Sequence, residues 1–288
     1  MPRVETWGFE SARTDGTGVF VRLTLFPDEP VAWYWAYVFL PDSGLTVVRD
    51  HEVPLPRRGL PDLEVRADSL WAELVCETPH EHWGIGLEAF GVVLDDPWDA
   101  RRGELGIRVP VGLDLEWEFV TPPWHDGAGH EYQTGRVHGE IIVGTEHVEF
   151  DGFGTHDEGR GLPADGGRHR AAFAVADAVA AQVIVEADGN ASGYTWRPGS
   201  ALDPLTAARV EAHPAAPAVP TALRYVLEGS LGGPLEVEAE VAAVAVVPLD
   251  SNTYLLEALA RGTVVDLEGD ERAGAGFAEW IRTTPPLG

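Results

Sequence analysis

The sequence predicts an all-β protein built as two consecutive β-rich halves, and three observations point there. Apolar and polar residues alternate with a period of two over most of the 288 residues; helical periodicity is scarce; and a stretch without alternation divides the chain near its middle. In "LDLEWEFV", Leu113, Leu115, Trp117 and Phe119 share one face while Asp114, Glu116 and Glu118 share the other. "LEVEAEV" repeats the pattern, with Leu235, Val237, Ala239 and Val241 opposite Glu236, Glu238 and Glu240. Such runs are half-buried antiparallel strands whose acidic faces meet water. They account for much of the formal charge of −27, and all 20 basic residues are Arg. "RAAFAVADAVAAQVIVEADG" (170–189) is Ala-rich enough to suggest a helix, yet its Val and Ile content permits two strands, and "SNTYLLEALARG" (251–262) is similarly ambiguous. The boundary falls in "VTPPWHDGAGHEYQTG" (120–135), which predicts domains over 1–125 and 126–288. A second Pro/Ala tract, 213–220, reads as a connection between strands of the second half.

Composition narrows the function. Hydrophobic residues at 44% and charged residues at 23% describe a globular chain with a sizeable core. The acidic excess argues against nucleic acid and anionic membranes, since phosphate binding needs clustered cations. The longest apolar run, "VAWYWAYVFL", is too short to span a bilayer, and no signal peptide precedes it, so a cytoplasmic location is expected. The single cysteine, Cys76, rules out an intramolecular disulfide and reads as a small buried hydrophobe. No phosphate loop, dinucleotide fingerprint or serine elbow is present, which predicts chemistry without a cofactor.

The hairpin "RVHGEIIVGTEHVEFDGF" carries the strongest local signal. Gly144-Thr145 fits a two-residue turn, with glycine supplying positive φ. That register opposes His138 to Asp151, Glu140 to Glu149 and Ile142 to His147 on one face, with Val137, Ile141, Val143, Val148 and Phe150 on the other. The polar face is either solvent-exposed or a cavity lining in which the Glu140–Glu149 pair raises one carboxyl pKa.

From this hairpin onward the sequence resembles the bacterial superfamily of carotenoid 1,2-hydratases (hydroxyneurosporene synthases) and AttH-like proteins. That group runs Gly-Arg-Val-x-Gly into Val-Asp-Gly-x-Gly and then Arg-Asp-His-Ser-Trp-Gly. Gly135-Arg136-Val137-His138-Gly139 matches the first part, and Phe150-Asp151-Gly152-Phe153-Gly154 matches the second with Phe for Val. In the signature Asp157 and Gly161 match, whereas His156, Glu158, Gly159 and Arg160 replace Arg, His, Ser and Trp. Gly274, Gly276 and Glu279 resemble the closing Gly-x-Gly-x-x-Glu. The resemblance implies two consecutive lipocalin-like antiparallel barrels, with the motif loop near the domain junction and a cavity for a terpenoid or polyketide.

Hydration, cyclisation or isomerisation of such a substrate needs a carboxylic acid kept neutral in a dry pocket. The matching position makes Asp157 the first candidate acid, with His156 or Glu158 tuning or replacing it, and Arg160 and His138 nearby. Asp157 reads equally as a buried salt bridge holding the loop. Trp83, and the strand face bearing Trp33, Trp35, Tyr37 and Phe39, serve as core or as aromatic pocket walls. His80 and His82, two apart, have a spacing used by metal sites, but Pro79 breaks the strand there and no third ligand is placed, so no metal is expected. A non-catalytic carrier of a lipophilic ligand is the alternative that the barrel architecture allows.

Overall fold

The computed structural model describes residues 3–41, 43–57, 59–101, 106–161, 168–175, 178–214, 219–250, 252–265 and 269–283. Apart from one 3₁₀ turn at Pro97–Arg101, the regular structure of these residues is entirely strand. No helix among them is long and apolar enough to cross a membrane.

The chain forms two compact units: Met1–Ser11 with Val19–Leu162, and Ala12–Gly18 with Pro163–Gly288. The first holds β1 (Glu5–Ala12), β2 (Gly18–Phe26), β3 (Val31–Leu40), β4 (Gly44–Pro54), β5 (Asp62–Ala67), β6 (Leu70–Thr78), β7 (His82–Leu94), β8 (Ile107–Phe119), β9 (Trp124–His125), β10 (His130–Val143) and β11 (Glu146–Arg160). They run in the order β4-β3-β2-β1-β11-β10-β8-β7-β6-β5, and a further β4–β7 pairing joins eight of them into a ring. The second holds β12 (His169–Val175), β13 (Val179–Val185), β14 (Ala191–Trp196), β15 (Asp203–His213), β16 (Ala222–Gly229), β17 (Pro234–Pro248), β18 (Thr253–Val265) and β19 (Glu271–Thr283), an eight-stranded closed barrel in sequence order. An all-β chain with two barrel-like units is thus the observed architecture.

Alternation builds the cores as expected. Val111, Leu113, Leu115 and Trp117 of β8 are buried while Asp114 and Glu118 face outward. Each such apolar side chain contributes about 1.5–3 kcal/mol on leaving water. The two helix-suggesting segments are strands instead. Residues 170–175 and 179–185 lie in β12 and β13, buried on both faces, so the apolar run could not show a period of two; 176–177 lie outside the described residues. Residues 253–262 of the other segment fall in β18, which is likewise buried on both faces over most of its length, and Ser251 lies outside the described residues.

The expected boundary at 125/126 is corrected to the region after β11. β10 pairs with β8 over nine positions and β11 pairs with β10, so 130–160 completes the first ring rather than opening the second. The Pro/Gly stretch around 120–129 carries the short strand β9, a spur on β10 within the same sheet. The tract 213–220 connects β15 to β16, with 215–218 outside the described residues.

The β10–β11 hairpin has the register read from the sequence: Val143 pairs with Glu146 across Gly144-Thr145, and His138 faces Asp151. Gly144 adopts φ +63°, which the tight turn requires and a side chain would strain. The ladder runs without a bulge to His130–Gly159, so alternation along β11 stays in phase from Glu146 to Gly159.

Candidate acid–base site in the first unit

That phase decides which signature residues share a space. Val148 and Phe150 pack against or within the core of the first unit, and the same face continues to His156 and Glu158. Both line a cavity of about 810 Å³ in this unit, together with Arg160, Trp83, Trp7 and Gln133. Trp83 belongs to the core as well, so it is both core and cavity wall.

Asp157 points the other way. Its Oδ1 accepts a hydrogen bond from Arg22 Nη2 at 3.0 Å, and the two side chains are 5% and 4% exposed. Gly8 makes room for this pair, since a methyl group on its Cα would stand 2.2 Å from Asp157 Oδ1. Asp157 is therefore the buried ion pair that fixes β11 against β1 and β2, and it does not line the cavity.

His156 is 3% exposed and stacks on Phe9 with ring centroids 4.3 Å apart. Its Nδ1 lies 3.0 Å from Gly8 O. A carbonyl only accepts, so Nδ1 carries the hydrogen and Nε2 is the basic nitrogen of a ring that lines the cavity. Burial pushes its pKa from 6.5 to about 4, outweighing the opposing pull of Asp157 and the Gly8 bond. The ring is neutral at pH 7, and its free nitrogen is a weaker base than an exposed imidazole.

Glu158, half-buried, shifts the other way. Burial raises its pKa first, and the nearby Glu131 carboxylate adds to this. The Trp7 indole N–H opposes the rise without reaching ordinary hydrogen-bond geometry, and His80 opposes it too. Glu131 stands directly across the ladder from Glu158 and is itself held by His80 Nδ1 at 3.0 Å and His125 Nε2 at 3.6 Å. Arg160 forms no ion pair with Asp157 or Glu158, so it does not suppress the acid. Cys76 lines the cavity with its thiol pKa raised by burial, and then by Glu158, which keeps it protonated.

Other residues singled out from the sequence lie elsewhere. His138 is on the outer face of β10, with Nε2 3.6 Å from Glu118. Glu140 and Glu149 are exposed, and Glu140 pairs with His147 at 3.0 Å, so the polar hairpin face is a solvent face. β3 gives Ala32, Tyr34, Ala36, Val38 and Leu40 to the core, which turns Trp33 and Trp35 to the opposite side. There Trp33 stacks on His51 at 4.6 Å and the Trp35 indole N–H donates to His51 Nε2. His80 and His82 do not converge: His80 sits in a turn with φ +62° and pairs with Glu131, whereas His82 bridges Glu77 and Glu116. Gln133 and Trp7, unremarked in the sequence, are the additions that the structure makes to the site.

Another cavity, about 630 Å³, opens in the second unit beside Arg224 and Arg261. Both guanidiniums are neutralised locally, by Glu236 at 3.0 Å and Glu240 at 2.8 Å, and no acid–base pair with shifted pKa values lines it.

Fold and site together define a protein of two β-barrel-like units whose first unit carries a cavity lined by Trp7 and Trp83, by a neutral imidazole and by a carboxyl whose pKa burial raises. The profile of the family described as Domain of unknown function (DUF7064) matches residues 5–284, and the chain belongs to that family. No curated protein matches it in sequence. Among solved structures, a protein of Nitrosomonas europaea provisionally assigned as AttH (NE1406) is similar with a TM-score of 0.64 and 14% identity, over 98% of this chain and 93% of that one. CghA, solved with Sch210972, is similar with a TM-score of 0.57 and 10% identity, over 98% of this chain and 89% of that one. These likenesses are of fold.

Proposed function

We propose that the chain is an enzyme acting on a hydrophobic small molecule, a terpenoid or polyketide, through acid–base groups of its own: Glu158 as acid and His156 as base. The observation that carries this reading is their placement. A carboxyl with raised pKa and an imidazole with lowered pKa stand two residues apart on one strand face and line one cavity.

Glu158 gives its proton to a double bond or carbonyl oxygen of the substrate. The positive charge that develops faces the rings of Trp7 and Trp83. His156 Nε2 then takes a proton, from a neighbouring carbon in an isomerisation, from a water that has added in a hydration, or after ring closure in a cyclisation. Hydration of an isoprenoid double bond, which the resemblance to carotenoid hydratases suggests, is one of these outcomes. Asp157, placed first by motif matching, takes a positioning role here: its pair with Arg22 holds the strand that presents both reacting groups.

The test is deletion of the gene in its native host, with complementation by wild type, Glu158→Gln and Asp157→Asn and mass spectrometry of extracts. Accumulation of a compound equal in mass to the lost product indicates isomerisation or cyclisation, and one a water lighter indicates hydration. Glu158→Gln should not restore the product, with turnover of purified protein down about 10²–10⁴-fold, whereas Asp157→Asn should restore it with a less stable protein. A deletion that only lowers the level of an unchanged compound would instead establish a carrier.

A further inference from the structure

Beside His156 lies a second group whose protons are fixed by its neighbours. Gln133 is 2% exposed, and its Nε2 donates both hydrogens to backbone carbonyls, His80 O at 3.2 Å and Thr121 O at 3.0 Å. Because both partners only accept, the amide cannot be turned around. Oε1 is left as an acceptor on the cavity wall. Gln133 stands directly across the ladder from His156, where opposed Cβ atoms are about 4.5–5.5 Å apart. With Nδ1–H given to Gly8 O, His156 Nε2 is an acceptor too. Two acceptors thus stand across the ladder from one another on residues that line the cavity, and no N–H or O–H of the described residues donates to either.

We propose that the cavity selects a ligand whose buried end carries a hydrogen-bond donor, a hydroxyl, enol or N–H, on an unsaturated apolar body, and that Gln133 is the residue that specifies this. The inference rests on the function proposed above for the location of the site. An ether or ketone at the same end would set lone pairs against Oε1 and Nε2 and leave both acceptors unsatisfied. The apolar body follows from Trp7, Trp83, Leu60, Pro61 and Pro79 on the walls.

The test uses two probes of nearly equal shape that differ in the donor, 1-naphthol and 1-methoxynaphthalene, titrated calorimetrically into the full chain. Wild type should bind the naphthol about ten-fold more tightly, a difference of about 1.4 kcal/mol. Gln133→Met should reduce the preference to about two-fold or less. Since Gln133 also ties two backbone segments together, His156→Phe serves as a second variant that keeps the stack on Phe9 and removes the neighbouring acceptor; it should reduce the preference as well. Equal affinity of wild type for both probes, with both binding, overturns the donor inference and leaves the cavity as an apolar small-molecule site. Binding of neither probe overturns both the inference and the function on which it rests.

Discussion

One buried histidine in each unit makes an instructive pair. His156 in the first and His169 in the second each place Nδ1 3.0 Å from a backbone carbonyl, that of Gly8 and that of Glu279. Each stacks on an aromatic ring, Phe9 at 4.3 Å and Trp280 at 4.6 Å, and burial pushes each to about 4. They part at Nε2. The Tyr225 hydroxyl, 3.1 Å away, donates to His169, which is thereby satisfied on both sides. His156 Nε2 has no hydrogen-bond partner among the described residues, and the ring lines the cavity with Glu158. Burial and a depressed pKa alone therefore do not mark a reacting group; what marks it is an unfilled valence facing space that a ligand can enter.

The largest effect that would break this comparison comes from the support beneath His156. Asp157→Ala removes the buried carboxylate that Arg22 pairs with and should cost about 3–5 kcal/mol in urea unfolding; a loss within experimental error would mean that the pair does not hold β11. Next come the histidines' own partners. Tyr225→Phe strips the donor from His169 Nε2 and should cost about 1–3 kcal/mol. His156→Phe loses the Nδ1–H bond to Gly8 O but no bond at Nε2 among the described residues, so it should cost about 1 kcal/mol less than His169→Phe, which loses bonds at both nitrogens. Equal losses at the two sites would erase the distinction drawn between them.

Acid sharpens it further. Both histidines stay neutral when folded down to about pH 4 but take protons near 6.5 when unfolded. The unfolded chain thus binds more protons in this window. Stability should be constant above about pH 6.5 and fall between about 6.5 and 4 by up to about 1.4 kcal/mol per pH unit for each histidine. Substituting either by Phe should flatten the decline, as measured by urea midpoints across pH. Glu158 has the opposite sign: its raised pKa favours the folded state at low pH and is a liability as pH rises. Glu158→Gln should therefore raise the midpoint modestly at pH 7 while abolishing turnover. The smallest effect is on the outer hairpin face, where Arg136 and Asp151 pair at 2.9 Å with side chains 51% and 63% exposed. Arg136→Ala should change stability by about 0.5 kcal/mol or less.

Much of this was legible in the residues themselves. The turn at Gly144-Thr145 and the alternation beside it predict the observed hairpin register, because a two-residue turn and a buried face leave one pairing. The same register, carried past Gly154, would also have separated Asp157 from His156 and Glu158, since Phe153, Asp151 and Glu149 already occupy the outward phase. Motif matching favoured Asp157 because it weighed identity of residue over direction of side chain. The boundary was misplaced because prolines and glycines near 120–129 mark a break in one strand order, not in the sheet. Gln133 was out of reach: its role depends on the His80 and Thr121 carbonyls meeting at one amide, a convergence set by loop geometry rather than by any local pattern.

The central claim, that His156 is a neutral imidazole with Nε2 open to a ligand, is tested most directly by long-range ¹H–¹⁵N NMR of the histidine-labelled chain. The spectra should show His156 as the Nδ1–H tautomer, unprotonated until pH approaches about 4. On addition of 1-naphthol its Nε2 resonance should move while that of His169 stays in place. A His156 that titrates near 6.5, or a naphthol response at His169 in its stead, would contradict the account.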